Sequence, residues 1–280
     1  MDNLGSFTTK NPILLLGCGK MGSAMLSGWL DQGLKTDAIH IVDPFLDHIK
    51  DFFPNLNATQ LHENMEKLPE QLSPSFIIIA VKPQMMDQAL TSLQAIELSN
   101  SVILSIAAGK TIHYFENKLG NQWPIIRAMP NTPAAIGKGI SVLCANKHVS
   151  DENKNIANIL LETVGSVQWI DNENLMDGVT ALSGSGPAYV FYMVEAMAAA
   201  GEAIGLPQEL SQTLARQTVS GAGALLDASD ETVAKLRENV TSPGGTTAAA
   251  LDVLMSDQGL VKVIRRAMTA AKDRSKELAN

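Results

Sequence analysis

Gly17-Cys18-Gly19-Lys20-Met21-Gly22 follows directly on the apolar run Ile13–Leu16 and leads into an amphipathic stretch, Met21–Gln32. Glycines at this spacing do three separate jobs: Gly17 makes a tight turn, Gly19 lets backbone approach a pyrophosphate, and Gly22 lets a helix pack on the preceding strand. The helix start then offers unpaired amides and the positive end of its dipole to phosphate. An ordinary glycine turn has the same letters. The strand before it, the helix after it and a second strand ending in Asp43 supply the context that makes Gly17, Cys18, Gly19, Lys20, Met21 and Gly22 a dinucleotide loop.

Asp43 stands where an acid can accept the adenosine ribose hydroxyls, and its carboxylate repels a 2′-phosphate that no following arginine counters. Asp before Pro44 is equally at home as a turn former or helix cap. The ribose reading favours NADH over NADPH. Two more stretches, Ala80-Val81-Lys82-Pro83-Gln84 and Arg127–Pro133, close apolar runs. In open α/β sheets the carboxyl ends of strands border the ligand crevice, so polar residues and prolines there are candidates to hold the nicotinamide half; turns are the plainer alternative.

These residues need a scaffold. Candidate strands are Ile13–Leu16, Ala38–Val42, Phe76–Val81, Val102–Ile106, Ile125–Ala128, Ile140–Cys144 and Val167–Ile170, with helical segments Met21–Gln32, Gln84–Gln94 and Asn153–Val164 among them. Strands apolar on both faces and separated by helices predict a doubly wound parallel sheet of Rossmann type. From about Asp171 no β-branched run appears, and Leu175–Ala181, Tyr189–Ile204, Pro207–Ala228, Glu231–Val240, Thr246–Met255 and Gln258–Leu278 read as helices. The expected domains are therefore a dinucleotide-binding α/β domain over 1–168 and an all-α domain over 169–280. Helices rich in Ala and Gly, such as Ala196–Ala203, bury little area each, so the second half is expected to form a homodimer or an assembly of dimers.

Composition narrows the class. The chain has 280 residues, 18% of them charged, and a formal net charge of −8, with no basic cluster of the kind a nucleic-acid partner requires. Cys18 and Cys144 form no CxxC or Cys/His ligand spacing, which gives no metal site and predicts a reduced, cytoplasmic protein. The first ten residues lack the basic start and apolar core of a signal peptide, and no apolar run is long enough to span a membrane.

Ala80–Gln84 (AVKPQ), Arg127–Pro133 (RAMPNTP), Ala181–Tyr189 (ALSGSGPAY) and Val240–Leu251 (VTSPGGTTAAAL) together resemble the Δ1-pyrroline-5-carboxylate reductase family along nearly the whole chain. The resemblance implies a Rossmann domain followed by a helical dimerisation domain, and reduction of a small cyclic imine to L-proline by NADH or NADPH. It places the substrate carboxylate at Ser242, Gly244, Gly245, Thr246 and Thr247. It brings Ala80, Val81, Lys82, Pro83, Asn131 and Ser185, with Gly186 and Pro187, to the cofactor. A Pro-Gly-Gly turn opening a helix suits a carboxylate on physical grounds as well, although a helix-to-helix turn reads the same way.

In this reading Thr247 is the catalytic side chain, bonding the ring nitrogen. A protonated imine needs little further acid or base, and positioning in a water-poor pocket does most of the work. The five histidines all lie in the first half, and Pro187–Ala200 carries Glu195 but no Lys or His. Dehydrogenases of hydroxy acids, which need a base near the carbinol, are thereby disfavoured. A reductase acting on another imine or keto acid and a non-catalytic dinucleotide-binding regulator are the competing readings. Many reductases of this family prefer NADPH, which Asp43 does not suit.

Overall fold

A computed structural model describes residues 4–94 and 100–279. Eight strands form one sheet: β1 (Ile13–Leu16), β2 (Ile39–Val42), β3 (Leu61–His62), β4 (Phe76–Ile79), β5 (Val102–Ser105), β6 (Ile125–Met129), β7 (Gly139–Ala145) and β8 (Gly165–Trp169). Their spatial order is β3-β2-β1-β4-β5-β6-β7-β8. Order reverses between β1 and β4, the switch point at which a doubly wound sheet opens a crevice beyond its strand ends.

Helices α1 (Lys20–Asp31), α2 (Leu46–Phe52), α3 (Met86–Leu93), α4 (Ile112–Leu119) and α5 (Asp151–Glu162) accompany the strands. Side chains alternate across β1. Ile13 and Leu15 join the core that holds Trp29 of α1 and Leu160 of α5, while Leu14 and Leu16 face the core of Leu90 in α3 and Phe115 in α4. The Trp29 indole N–H donates to the Leu160 carbonyl at 2.7 Å, which fixes α1 against α5.

One pair departs from the all-parallel expectation: β7 runs antiparallel to β6. Residues 130–138, with a short turn over Thr132–Ile136 and a left-handed Gly137, are too few for a crossover helix. Sequence reading also passed over α2, α4 and β3. β3 is two residues long, too short to show a period.

After Trp169 every described element is helical: α6 (Met176–Val179), which continues as a π-helical turn over Thr180–Gly184, then α7 (Gly186–Ala203), α8 (Gln208–Ala228), α9 (Val233–Asn239), α10 (Thr246–Leu254) and α11 (Leu260–Ala279). Compactness divides the chain at a different place from this change of secondary structure. One unit runs to Gly184 and regains the chain from Lys272; the other is Ser185–Ala271. The first unit extends past 168 because Met176 is buried in the sheet's core and Ser275 donates to the Asp177 carboxylate at 2.7 Å. No helix among the described residues is long and apolar enough to cross a membrane.

Candidate functional site: a glycine-loop crevice and a Pro-Gly-Gly turn

The glycine loop turns on three backbone facts. Gly17 sits at φ +89°, and a Cβ there would lie 2.9 Å from the Ala80 carbonyl oxygen. A Cβ on Gly22 would lie 2.4 Å from the Gly17 oxygen, so α1 meets the loop with no room for a side chain. At Gly19, by contrast, a Cβ would meet no protein atom within 4 Å. Protein packing therefore requires glycine at 17 and 22, whereas at 19 no described protein atom does.

Gly19 is the N-cap of α1 and brings no side-chain cap. The first paired amide of the helix is that of Ser23, which donates to the Gly19 carbonyl at 2.8 Å. Among the described residues the N–H groups of Gly19, Lys20, Met21 and Gly22 have no acceptor. Consecutive free amides at a helix start form an anion cradle, and this one fits a pyrophosphate.

Cys18, between the first two glycines, turns inward. Its side chain is fully buried, and its N–H donates to Asp43 Oδ2 at 2.7 Å. Burial pushes the thiol up to about 11, with the neighbouring Asp43 charge adding to the rise against a hydrogen bond between the thiol and Ser23. It is a packing residue, not a nucleophile. Asp43 Oδ1 accepts the N–H of Phe45 at 2.8 Å, the local turn that Asp before Pro44 is suited to make.

Beyond the ends of β1, β2, β3 and β4 lies a cavity of about 400 Å³. It brings together Gly17, Gly19, Asp43, Ala80, Val81 and Lys82 of the residues singled out from sequence. Lys20 and Met21 open α1 beside it, and Pro83 starts the turn Pro83–Met85. Sequence reasoning missed Phe45, His48, Asn64, Met65 and Met85, which line the same cavity. Their signal was position: each follows the carboxyl end of a strand in the order that faces the crevice. Asn64 was hidden because β3 itself went unread. Phe45 is 74% exposed at this cavity, a large ring with little protein against it.

Asn131 is committed elsewhere in the same unit. Its Oδ1 accepts the Ile140 N–H at 2.9 Å and its Nδ2 donates to the Ser183 carbonyl at 3.2 Å. The side chain thus ties the loop after β6 to the π-helical turn, where Gly184 packs so closely on Met129 that a Cβ would come within 2.4 Å of the methyl carbon. Arg127 is buried and paired with Glu173 at 2.8 Å, and the same carboxylate oxygen accepts the Ile112 N–H.

The second unit holds Ser185 and the Ser242–Thr247 segment. Ser185 is the N-cap of α7, with Pro187 in the first turn. The Gly245 N–H donates to the Ser242 carbonyl at 3.0 Å, closing a turn in which Gly244 takes φ +69°. Gly245 then caps α10 without a side-chain acceptor, and among the described residues the amides that open α10 at Thr246 and Thr247 have no acceptor. This geometry suits a small carboxylate.

Comparison with known proteins agrees along the chain. Residues 173–278 match the family model for pyrroline-5-carboxylate reductase dimerisation, and residues 12–109 match the one for NADP oxidoreductase, coenzyme F420-dependent. Pyrroline-5-carboxylate reductase of Haemophilus influenzae is 36% identical over 267 residues, which cover 95% of this chain and 97% of that protein. The enzyme of the same name from Pseudomonas aeruginosa is also 36% identical, over 95% of this chain and 96% of its own. Among solved structures, the Coxiella burnetii pyrroline-5-carboxylate reductase superposes with a TM-score of 0.87 at 33% identity, covering 97% of this chain and 99% of that one. The Plasmodium falciparum pyrroline carboxylate reductase, determined with NADP bound, gives 0.78 at 31% identity over 98% and 100%. The chain belongs to the pyrroline-5-carboxylate reductase family.

Proposed function

We propose that this chain reduces Δ1-pyrroline-5-carboxylate to L-proline with a reduced nicotinamide dinucleotide. One observation carries the reading: a free-amide cradle at Gly19–Gly22 and a Ser242–Thr247 turn with free amides occur in one chain that aligns over 95% of its length with reductases of that name.

The backbone of Gly19, Lys20, Met21 and Gly22 holds the pyrophosphate. Asp43 faces the adenosine ribose, Phe45 offers its exposed ring to the adenine, and Ala80–Pro83 form the opposite wall. When bound, the reduced nicotinamide supplies a hydride to the imine carbon. The amides of Thr246 and Thr247 grip the substrate carboxylate, the Gly245 N–H being spent on the Ser242 carbonyl, and the Thr247 hydroxyl bonds the ring nitrogen. The imine enters protonated, so the C=N electron pair is received by a nitrogen that already carries its proton, and the product is the secondary amine of proline. Positioning and exclusion of water supply the acceleration, with no side-chain nucleophile required.

We infer NADH as the better cofactor. Asp43 lines the cavity, and the only lysine or arginine among the lining residues is Lys82. Placing a 2′-phosphate beside a carboxylate is unfavourable without a cation close by. The bound NADP of the Plasmodium falciparum relative argues the other way for that protein. Parallel assays with the two cofactors separate the cases: a higher kcat/KM with NADH supports the reading, and a strong preference for NADPH overturns it.

A cytoplasmic homodimer, or an assembly of dimers, is the expected state. Of the 18 residues of α7 only Ala198 is buried, although the helix is apolar around most of its circumference. Phe191 and Tyr192 stand exposed on it. A helix apolar all round belongs in an interior, and a second copy provides one. Light scattering at micromolar concentration gives twice the 29.9 kDa chain mass, or a multiple of it, if this is right.

A further inference from the structure

The peptide plane between Cys18 and Gly19 is held from one side by two side chains. The Cys18 carbonyl accepts the Ser23 hydroxyl at 2.8 Å and the His48 Nε2 at 3.0 Å. A carbonyl can only accept, so His48 carries its proton on Nε2. The carbonyl and the Gly19 N–H belong to one planar trans peptide and point in opposite directions. Fixing the oxygen therefore aims the amide. That amide is one of the free donors of the cradle, and nothing among the described residues accepts it.

Resting on the dinucleotide reading above, we propose that His48 is a positioning residue of the phosphate loop: by holding the Cys18 carbonyl it turns the Gly19 N–H toward the cofactor pyrophosphate. His48 lies in α2, just past the turn that Asp43 makes with Phe45. The segment after β2 thus pins both peptide groups of Cys18, its N–H through Asp43 and its carbonyl through His48. The wall that faces the adenosine and the loop that grips the phosphates are one connected device. Without these pins a glycine-flanked peptide is free to flip, because Gly17 and Gly19 have wide backbone freedom.

The pyrophosphate is common to NADH and NADPH, whereas the 2′-substituent is not. A positioning role therefore weakens both cofactors by the same factor, and direct reading of the ribose changes their ratio. The test is equilibrium titration of cofactor fluorescence on the whole protein, wild type against His48→Ala, His48→Gln and Ser23→Ala. His48→Ala is expected to weaken NADH and NADPH about tenfold each, the scale of one lost hydrogen bond. Their ratio stays constant, and kcat at saturating cofactor moves less than the affinities. Ser23→Ala, which removes the other donor, gives the same signature. His48→Gln keeps an N–H at similar reach and restores binding to within about twofold.

Unchanged affinities in both alanine variants overturn the proposal, as does a loss confined to one cofactor. Failure of the wild-type protein to bind either cofactor overturns the dinucleotide reading itself, and that outcome is distinct because no variant enters it.

Discussion

Asp43 Oδ2 accepts the backbone N–H of Cys18, 25 residues earlier in the chain, at 2.7 Å, while Oδ1 accepts that of Phe45 at 2.8 Å. One carboxylate thus shapes its own turn and holds the glycine loop, and it still lines the cavity. The turn-former and ribose-ligand readings of Asp43 are compatible, because an ionised carboxylate has about four lone-pair sites and these bonds use two.

Asp43→Asn separates its two duties. The amide keeps one acceptor oxygen and sets an NH2 against a buried N–H, which costs about 1–3 kcal/mol of stability. Removing the charge also lifts the repulsion of a 2′-phosphate. The ratio of kcat/KM for NADPH over NADH is expected to rise on the order of tenfold, while absolute activity falls. A lower melting temperature with an unchanged ratio would confine Asp43 to loop structure.

The three loop glycines give a graded set. Gly19→Ala adds a Cβ in open space at φ −70°, which any residue adopts, so stability changes by no more than about 1 kcal/mol. Cofactor affinity falls at least about tenfold because the methyl occupies the ground the phosphates need. Gly17→Ala and Gly22→Ala clash with backbone and lose stability first. Chemical denaturation and NADH titration on the three variants distinguish the patterns. Equal destabilisation at all three positions would remove the ligand's claim on Gly19.

The histidine pair predicts a pH dependence. His40 Nδ1 and His62 Nε2 lie 2.9 Å apart on adjacent strands β2 and β3, buried. Burial lowers His40 from 6.5 to about 4, helped by His62, and burial lowers His62 as well. Both are depressed bases, so the unfolded chain binds more protons than the folded one across that window. Stability is therefore full above pH 6.5 and declines as pH falls toward 4, by up to about 1.4 kcal/mol per pH unit for His40, with His62 acting in the same direction. Urea midpoints from pH 7.5 to 5 should show the decline in wild type and a flatter profile in His40→Gln/His62→Gln. Equal slopes would exclude the pair as the cause.

Much of this fold was legible because its buried strands are short apolar runs. The ends of β1 and the start of α1 are marked by glycines whose constraints are local. What stayed hidden depends on long-range partners. β3 exists through its pairing with β2, not through a pattern of its own, and β6 and β7 are antiparallel because residues 130–138 are few. At the candidate site, Gly19 and Asp43 were legible as lining residues from the glycine spacing together with the strands that precede them. His48 was not, since its partner is a carbonyl 30 residues away. The inward commitment of Asn131 to Ile140 and Ser183 could not be foreseen either, because both partners are backbone groups.

The role proposed for Thr247 is in the chemical step. Thr247 lies in the first turn of α10, whose N-cap Gly245 has no side-chain acceptor, so its hydroxyl has no capping duty to lose. Thr247→Ala should reduce kcat strongly and leave stability within about 1 kcal/mol. Thr247→Ser, which keeps the hydroxyl, should recover most of the rate. Unchanged turnover in the alanine variant would take Thr247 out of the mechanism.

The central claim is hydride transfer to a cyclic imine carbon, and isotopic labelling tests it directly. Purified protein is given Δ1-pyrroline-5-carboxylate with NADH carrying deuterium at the transferred position of the nicotinamide, and separately with NADPH so labelled. The product is examined by mass spectrometry and NMR. The account predicts L-proline with one deuterium on the ring carbon beside nitrogen that does not bear the carboxylate, formed in step with cofactor oxidation. Folded protein that binds NADH yet forms no labelled proline with either cofactor would contradict it.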